Sequence, residues 1–160
     1  MVPRAPTRRK TILFFSTGDA TRSQIAEGFF RAWSNSDFEP ASTAIRAGEI
    51  NPHAVDIMRE VGIDISAQKS RTVKDSFKRQ FIAVVAMCEV PRERCPIWPF
   101  TRHLYTWNIH DPGRPAETAA SEENLRRSRD EIAAQIKEFI AHTLPDLQMA
   151  ALSRAVGGRL

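Results

Sequence analysis

The stretch KTILFF at 10–15 runs directly into STGDATRS at 16–23, and Ile25, Ala26, Phe29, Phe30 and Trp33 follow. The apolar run has no helical spacing and polar flanks, which suits a central strand buried on both faces. The later apolar residues recur at three- and four-residue intervals, the pattern of one buried helix face. Residues 16–23 are therefore a tight loop joining a buried strand to a helix. A strand covered on both sides requires a sheet with neighbours on each edge, and the chain must supply them.

It does so in alternation. FEPASTAIR at 38–46 reads as a second strand, with Pro40 confining the pairing there to an edge or to the strand start. In NPHAVDIMREVG, Asn51 is a helix N-cap, Pro52 the first helical position, Ala54, Ile57, Met58 and Val61 the buried face, and Gly62 the stop. FIAVVAM at 81–87 is a continuous strand and HLYTW at 103–107 another. Ser121 is placed to cap a last helix reaching His142, which buries Leu125, Ile132, Ile136, Phe139 and Ile140. This order predicts an α/β fold with an open, mostly parallel four-stranded sheet and helices on both faces, whose ligands bind beyond the strands' carboxyl ends. The expected layout is a basic N-terminal tail at 1–9, one domain at 10–142 and a loosely held C-terminal tail at 143–160.

Composition excludes several classes. The longest apolar runs fall far short of the ~20 residues that cross a bilayer, so no membrane partner is expected. The apolar run after the basic MVPRAPTRRK is too short for a secretory signal, and a cytoplasmic location is expected. The net charge of +4 is modest and its basic residues are interleaved with acidic ones, which argues against a nucleic-acid stripe. Two cysteines cannot build the disulfide framework of a small secreted domain, so Cys88 and Cys95 are reduced thiols or a redox pair. Their spacing is too wide for a CxxC turn and lacks zinc partners, and His53, His103, His110 and His142 show no metal-like spacing. No metal and no cofactor is expected.

Two loops carry chemistry. STGDATRS gathers backbone N–H groups from Thr17, Gly18, Asp19, Ala20, Thr21 and Arg22 at a helix N-terminus, an arrangement that attracts anions. Arg22 can fork its guanidinium onto two oxygens of such an anion, and Ser23 can donate a hydroxyl to Ser16. The loop lacks the Gly-Lys-Ser of a nucleotide P-loop and the G-x-G-x-x-G of a dinucleotide site. Asp111 in NIHDPGRP sits in an ordinary Asp-Pro-Gly turn; if that turn overhangs the anion loop, its carboxyl can give a proton to a leaving alcohol and then activate water.

Taken together, STGDATRSQIAEG, NPHAVDIMREVGIDIS, MCEVPRERCPIWP and TWNIHDP resemble, in this order, the low-molecular-weight protein tyrosine phosphatases and, more closely, the thioredoxin-coupled arsenate reductases of the same fold. The resemblance spans residues 10–142 and implies a flavodoxin-like fold and a phosphate, arsenate or phosphotyrosine-like ligand. It implies Arg22 and Ser23 as catalytic residues, Asp111 as the acid, Cys88 and Cys95 as a redox pair able to form a reversible disulfide, and thioredoxin as a partner. The family motif is C-x5-R-S, and this chain has Ser16 at the nucleophile's position and Asp19-Ala20 at the loop's usual Asn-Ser. A serine hydroxyl stays protonated where a cysteine would be a thiolate, so catalysis by the family route is expected to be impaired. Three readings remain open at this stage. The chain is a natural variant that binds more than it turns over, an active phosphatase or arsenate reductase captured with Ser in place of Cys, or a redox-responsive interaction module using Cys88 and Cys95.

Overall fold

Lys10–Asp19 forms β1, and it lies in the middle of the sheet because both of its edges are paired. The computed structural model describes residues 10–34, 37–46, 48–90, 94–95, 98, 101–112 and 119–157; the expected tail at 1–9 lies outside the described residues. After β1 come α1 (Thr21–Trp33), β2 (Phe38–Arg46), α2 (Pro52–Arg59), β3 (Arg71–Thr72), α3 (Val73–Ser76), β4 (Ala83–Cys88), β5 (Leu104–Asn108) and α4 (Ala119–Glu138). A π-helical turn at Phe139–Thr143 then leads into α5 (Leu144–Gly157). The strands are parallel in the order β3-β2-β1-β4-β5. From β1 the chain goes to β2 on one side and later crosses to β4 on the other. The carboxyl ends of β1 and β4 are therefore a topological switch point, where open sheets of this kind bind ligands.

Alternation along β1 divides the core. Ile12 and Phe14 face the layer built from α1, α2, α4 and α5, where Ile25, Phe29, Met58, Leu125, Ile132 and Phe139 fill the space. Leu13 and Phe15 face the opposite side, where Phe81, Val84 and Trp98 pack with Val73 of α3. Helices thus lie on both faces, but very unequally: the second face has the single turn of α3 and an aromatic cluster in which Trp98 meets Phe77, Phe15 and Phe81 at centroid distances of 4.6, 5.6 and 6.1 Å.

Several expectations are corrected here. The sheet has five strands rather than four, because Arg71–Thr72 adds to β2 at Thr43 and Ala44. Two residues are too few to show a period-2 pattern. Pro40 is tolerated in β2 because β3 reaches only Thr43 and Ala44, leaving the Pro40 stretch with β1 alone beside it. In α2, Asn51 Oδ1 accepts the His53 N–H at 2.9 Å and Gly62 takes φ +80°, as cap and stop require. The helix closes at Arg59, however, so Val61 lies in the following turn and is exposed rather than on the buried face. Ser121 is not a cap, since α4 begins at Ala119.

The largest departure is at the C-terminus. Residues 144–157 are helical, and Leu144 and Leu147 belong to the main core, so the packed body extends beyond residue 142. Pro145 reads as a helix stop because its ring would meet the carbonyl four residues earlier. The chain passes it through the π-turn, in which the Leu144 N–H bonds to Phe139 O, five residues back.

Candidate oxyanion site

The site is built where β1 ends. Its pairing with β2 slips between Ser16 and Asp19, and Gly18 takes φ +84°, a left-handed conformation that costs little only without a Cβ. Asp19 was suited to the same conformation by type but does not adopt it. Its carboxylate instead accepts the Thr21 N–H at 3.0 Å, capping the first turn of α1 with a negative charge.

Ser16 is fully buried beneath this loop. Its hydroxyl oxygen lies 2.8 Å from Asp19 O and 2.9 Å from Ser23 Oγ, and Ser23 Oγ in turn lies 3.1 Å from Ala20 O. The chain brings Ser16 and Ser23 together as expected. The acceptors around Ser16 are a carbonyl and a hydroxyl; no carboxylate, imidazole or amine among the described residues hydrogen-bonds it. The serine therefore has no general base in place to raise its nucleophilicity. Thr17 ties the loop to the next strand by donating to Met87 O at 3.3 Å.

Arg22 follows on α1 and is 1% exposed. A guanidinium so deeply buried must be hydrogen-bonded and charge-compensated. Nη1 donates to Ile109 O at 3.3 Å, Nη2 donates to Thr17 O, and Nη2 lies 4.0 Å from Asp111 Oδ2. The fork expected to face an anion thus spans two backbone carbonyls, Thr17 O near the end of β1, which continues through Ser16 to Asp19 where a loop was expected, and Ile109 O just after β5. Asp111 lies beside Arg22, with its side chain about 38% exposed.

Sequence reasoning missed the residues that hold Asp111 there. Glu89, directly after β4, accepts the Asp111 N–H at 2.8 Å with one carboxylate oxygen and places the other 3.4 Å from His110 Nδ1. From α4, Glu131 accepts the His110 N–H at 2.8 Å and Ser128 donates to His110 O at 2.6 Å. The Ile109 N–H bonds to Cys88 O at 3.1 Å, and Asn108 Oδ1 accepts the Val90 N–H at 3.0 Å. The available signal was a carboxylate immediately following a central strand at the ligand-binding end of the sheet.

Cys88 closes β4 on the second face and is fully buried; it is joined to Cys95 with a Cα–Cα distance of 5.5 Å. The two cysteines therefore lie at the same end of the sheet as the Ser16 loop. Gly113, Arg114 and Pro115, which complete the NIHDPGRP turn, lie outside the described residues. Among the described residues no group of three His, Cys, Asp or Glu side chains is placed to hold a metal ion, and no helix is long and apolar enough to cross a membrane.

Against known proteins, residues 11–149 match the family of low molecular weight phosphotyrosine protein phosphatases. An arsenate reductase of Halalkalibacterium halodurans is 37% identical over 134 residues, covering 82% of this chain and 95% of that protein. Among solved structures, an arsenate reductase in the phosphate binding state superposes with a TM-score of 0.68 at 26% identity, over 82% of this chain and 97% of the other. A thioredoxin-dependent arsenate reductase of Corynebacterium glutamicum gives a TM-score of 0.61 at 25% identity, over 91% and 65% respectively.

Proposed function

Because the chain belongs to the low-molecular-weight phosphotyrosine protein phosphatase family, we propose that it binds a tetrahedral oxyanion, phosphate or arsenate, in the Ser16–Ser23 loop without turning it over by the family's nucleophilic route. One observation carries this reading: the buried Ser16 hydroxyl has neutral partners, while the neighbouring Thr17 O is held by the Arg22 guanidinium, which lies 4.0 Å from Asp111 Oδ2. Loop N–H groups and the Arg22 guanidinium supply the attraction, Thr17 to Thr21 supply the cradle once the Thr21 N–H exchanges the Asp19 carboxylate for the ligand, and Asp111 serves as the acid for a leaving oxygen. The missing part is a group ionised at neutral pH in the position of Ser16. Titration calorimetry with phosphate and with arsenate on the wild type and on Arg22→Ala tests the proposal. Micromolar to millimolar binding that Arg22→Ala weakens at least tenfold supports it; equal affinities, or no binding by either protein, overturn it.

A second reading is favoured by the joined Cys88 and Cys95. In this reading the pair exchanges with a dithiol protein such as thioredoxin, as a retained part of a reductase whose first step Ser16 cannot perform. A cytosolic setting belongs to the same reading, since disulfides there are mostly transient and redox-active. Reduction of the intact protein by thioredoxin, followed by alkylation and mass spectrometry, separates it from a static pair. A disulfide that stays closed after prolonged exposure counts against it.

A further inference from the structure

The end of the sheet opposite the oxyanion loop holds a cavity of about 270 Å³. One wall is a single face of α5, Leu147, Ala150, Ala151 and Arg154, spaced i, i+3, i+4 and i+7. The other wall is formed by Lys10, Ile82 and His103, which stand at or just before the starts of three adjacent strands, β1, β4 and β5. Space exists between the walls because Ala150 and Ala151 occupy positions where larger side chains would reach the sheet. The π-turn sets the direction of α5, and such turns recur at functional sites. Ala150, Ala151 and Arg154 all lie beyond residue 149, where the match to the phosphatase family ends. Apart from Leu147, this wall of the cavity therefore lies outside the part of the chain that the family explains.

Chemically the cavity has two parts. Its interior is lined by Ile82, Leu147, Ala150 and Ala151. Lys10 and Arg154 are exposed cations with no ion pair among the described residues, His103 is the remaining polar lining residue, and no lining residue is acidic. An apolar chamber lined also by exposed cations complements a molecule with an apolar tail and a single anionic head. Its volume falls just under the ~300–1,000 Å³ of sites for drug-sized ligands, which suits one short chain and excludes a diacyl lipid. We infer that this cavity binds a free medium-chain carboxylate, with the head between Lys10 and Arg154 and the chain along Leu147, Ala150 and Ala151. The inference stands independently of the oxyanion reading, because it uses none of the same residues.

Calorimetry of the full-length protein with octanoate, kept below its micellar concentration, tests it. The expected result is saturable one-to-one binding, with hexanoate weaker by about 15-fold for the two methylenes lost. Octan-1-ol, without the charge, is expected to bind at least about tenfold more weakly. Arg154→Met should weaken octanoate about tenfold, and Ala151→Leu, which fills the chamber, should abolish binding while phosphate titrations stay unchanged. Thermal melts confirm that each variant is folded; if Ala151→Leu is not, the exposed Arg154 position decides alone. The inference is overturned if octanol matches octanoate, if folded Ala151→Leu binds like the wild type, or if Arg154→Met is without effect. It is overturned equally if octanoate gives no saturable heat, including the case in which the protein instead sediments with phosphatidylglycerol vesicles and the surface is a membrane contact.

Discussion

If Ser16 disables the family's nucleophilic route, as proposed, replacing it by Cys is expected to create phosphatase activity. The side chain is fully buried, with its oxygen 2.9 Å from Ser23 Oγ, so a thiolate placed there gains the Ser23 hydroxyl as a donor once that hydroxyl turns away from Ala20 O. It sits in the loop leading into the N-terminus of α1, with the Arg22 guanidinium bridging that loop to Ile109. Such surroundings lower a thiol's pKa from ~8.5 to roughly 3.5–7.5, which makes thiolate the main form at neutral pH. Removing the nucleophile costs a well-studied hydrolase on the order of 10⁶ in rate, about 8 kcal/mol at 1.36 kcal/mol per decade. The gain on restoring one should be several decades, limited by Asp19. That carboxylate is turned toward Thr21 N–H, within the same helix start, and adds a negative charge beside the thiolate. Asp19→Asn added to Ser16→Cys should therefore raise the rate below the thiol pKa, by about tenfold for each unit of pKa relieved. Asp111→Ala in the same background removes the acid and should lower the rate by about 10²–10⁴. The assay is aryl phosphate hydrolysis against pH for the wild type and the three variants. Wild-type activity equal to that of Ser16→Cys refutes the disabling role of Ser16; a Ser16→Cys protein that binds phosphate yet stays inert refutes the acid role of Asp111.

Three further outcomes concern the packing of α5, the Glu60 ion pairs and the support of Asp111. Leu147, 1% exposed, should lose about 2–5 kcal/mol of stability on truncation to Ala, or about 4–20 °C in Tm, whereas Leu152→Ala, 61% exposed, should cost under ~0.5 kcal/mol. Urea denaturation giving equal small losses would return α5 to the status of a loose tail. Hydrogen bonds from Arg126 and Arg129 hold the Glu60 carboxyl down at about 2. Because the folded-state value lies below the unfolded one, its stabilisation is complete above the ordinary glutamate value of 4.5 and is lost as pH falls through about 2. The urea midpoints of wild type and Glu60→Gln should thus differ at pH 6 and converge toward pH 2, and a constant offset contradicts the assignment. Glu89→Gln leaves one amide oxygen where two carboxylate oxygens served Asp111 N–H and His110, so hydrogen exchange at the Asp111 amide should speed up while the amides of β4 keep their protection; unchanged exchange at Asp111 removes the positioning role.

What the sequence made legible was set by how much each signal depends on neighbours in the chain. Strand β1, its loop, helix α1, and the Asn51 cap and Gly62 stop of α2 are local, because periodicity and capping chemistry are complete within a dozen residues. Asp111 and Arg22 were recognisable as candidates from their motifs, and the structure brings them to 4.0 Å. By contrast, Glu89, Ser128 and Glu131 act only through the folded arrangement: each bonds to a residue 18 to 22 positions away. Strand β3 was invisible because two residues carry no period, and its existence depends on the free edge of β2. The C-terminal helix, expected as a loose tail, carries Pro145 in its first turn, and the π-turn that leads into it has no pattern of its own in the sequence.

The geometry of Arg22 also bears on how tightly an oxyanion can be held. Its buried guanidinium is already engaged with Ile109 O and Thr17 O, so an arriving anion exchanges those bonds for stronger ones rather than adding to an unoccupied fork. The bonds to the two carbonyls are already charge-assisted because their donor is a cation, so the arginine contributes only the difference between a cation–carbonyl and a cation–anion bond, less than a newly formed ion pair would. Asp111, 4.0 Å from the same guanidinium, and Asp19, at the start of α1, both oppose a second negative charge. In a member of this family with Cys and Asn at positions 16 and 19, the thiolate is also negative and the ligand binds against it; here Ser16 removes one repulsion while Asp19 adds another. The loop should thus hold phosphate weakly, and Asp19→Asn alone, with Ser16 kept, should tighten binding more than any change at Ser16. Calorimetric affinity that is unaltered by Asp19→Asn would mean that the carboxylate is neutralised by its cap on Thr21, and that the arginine exchange by itself sets the affinity.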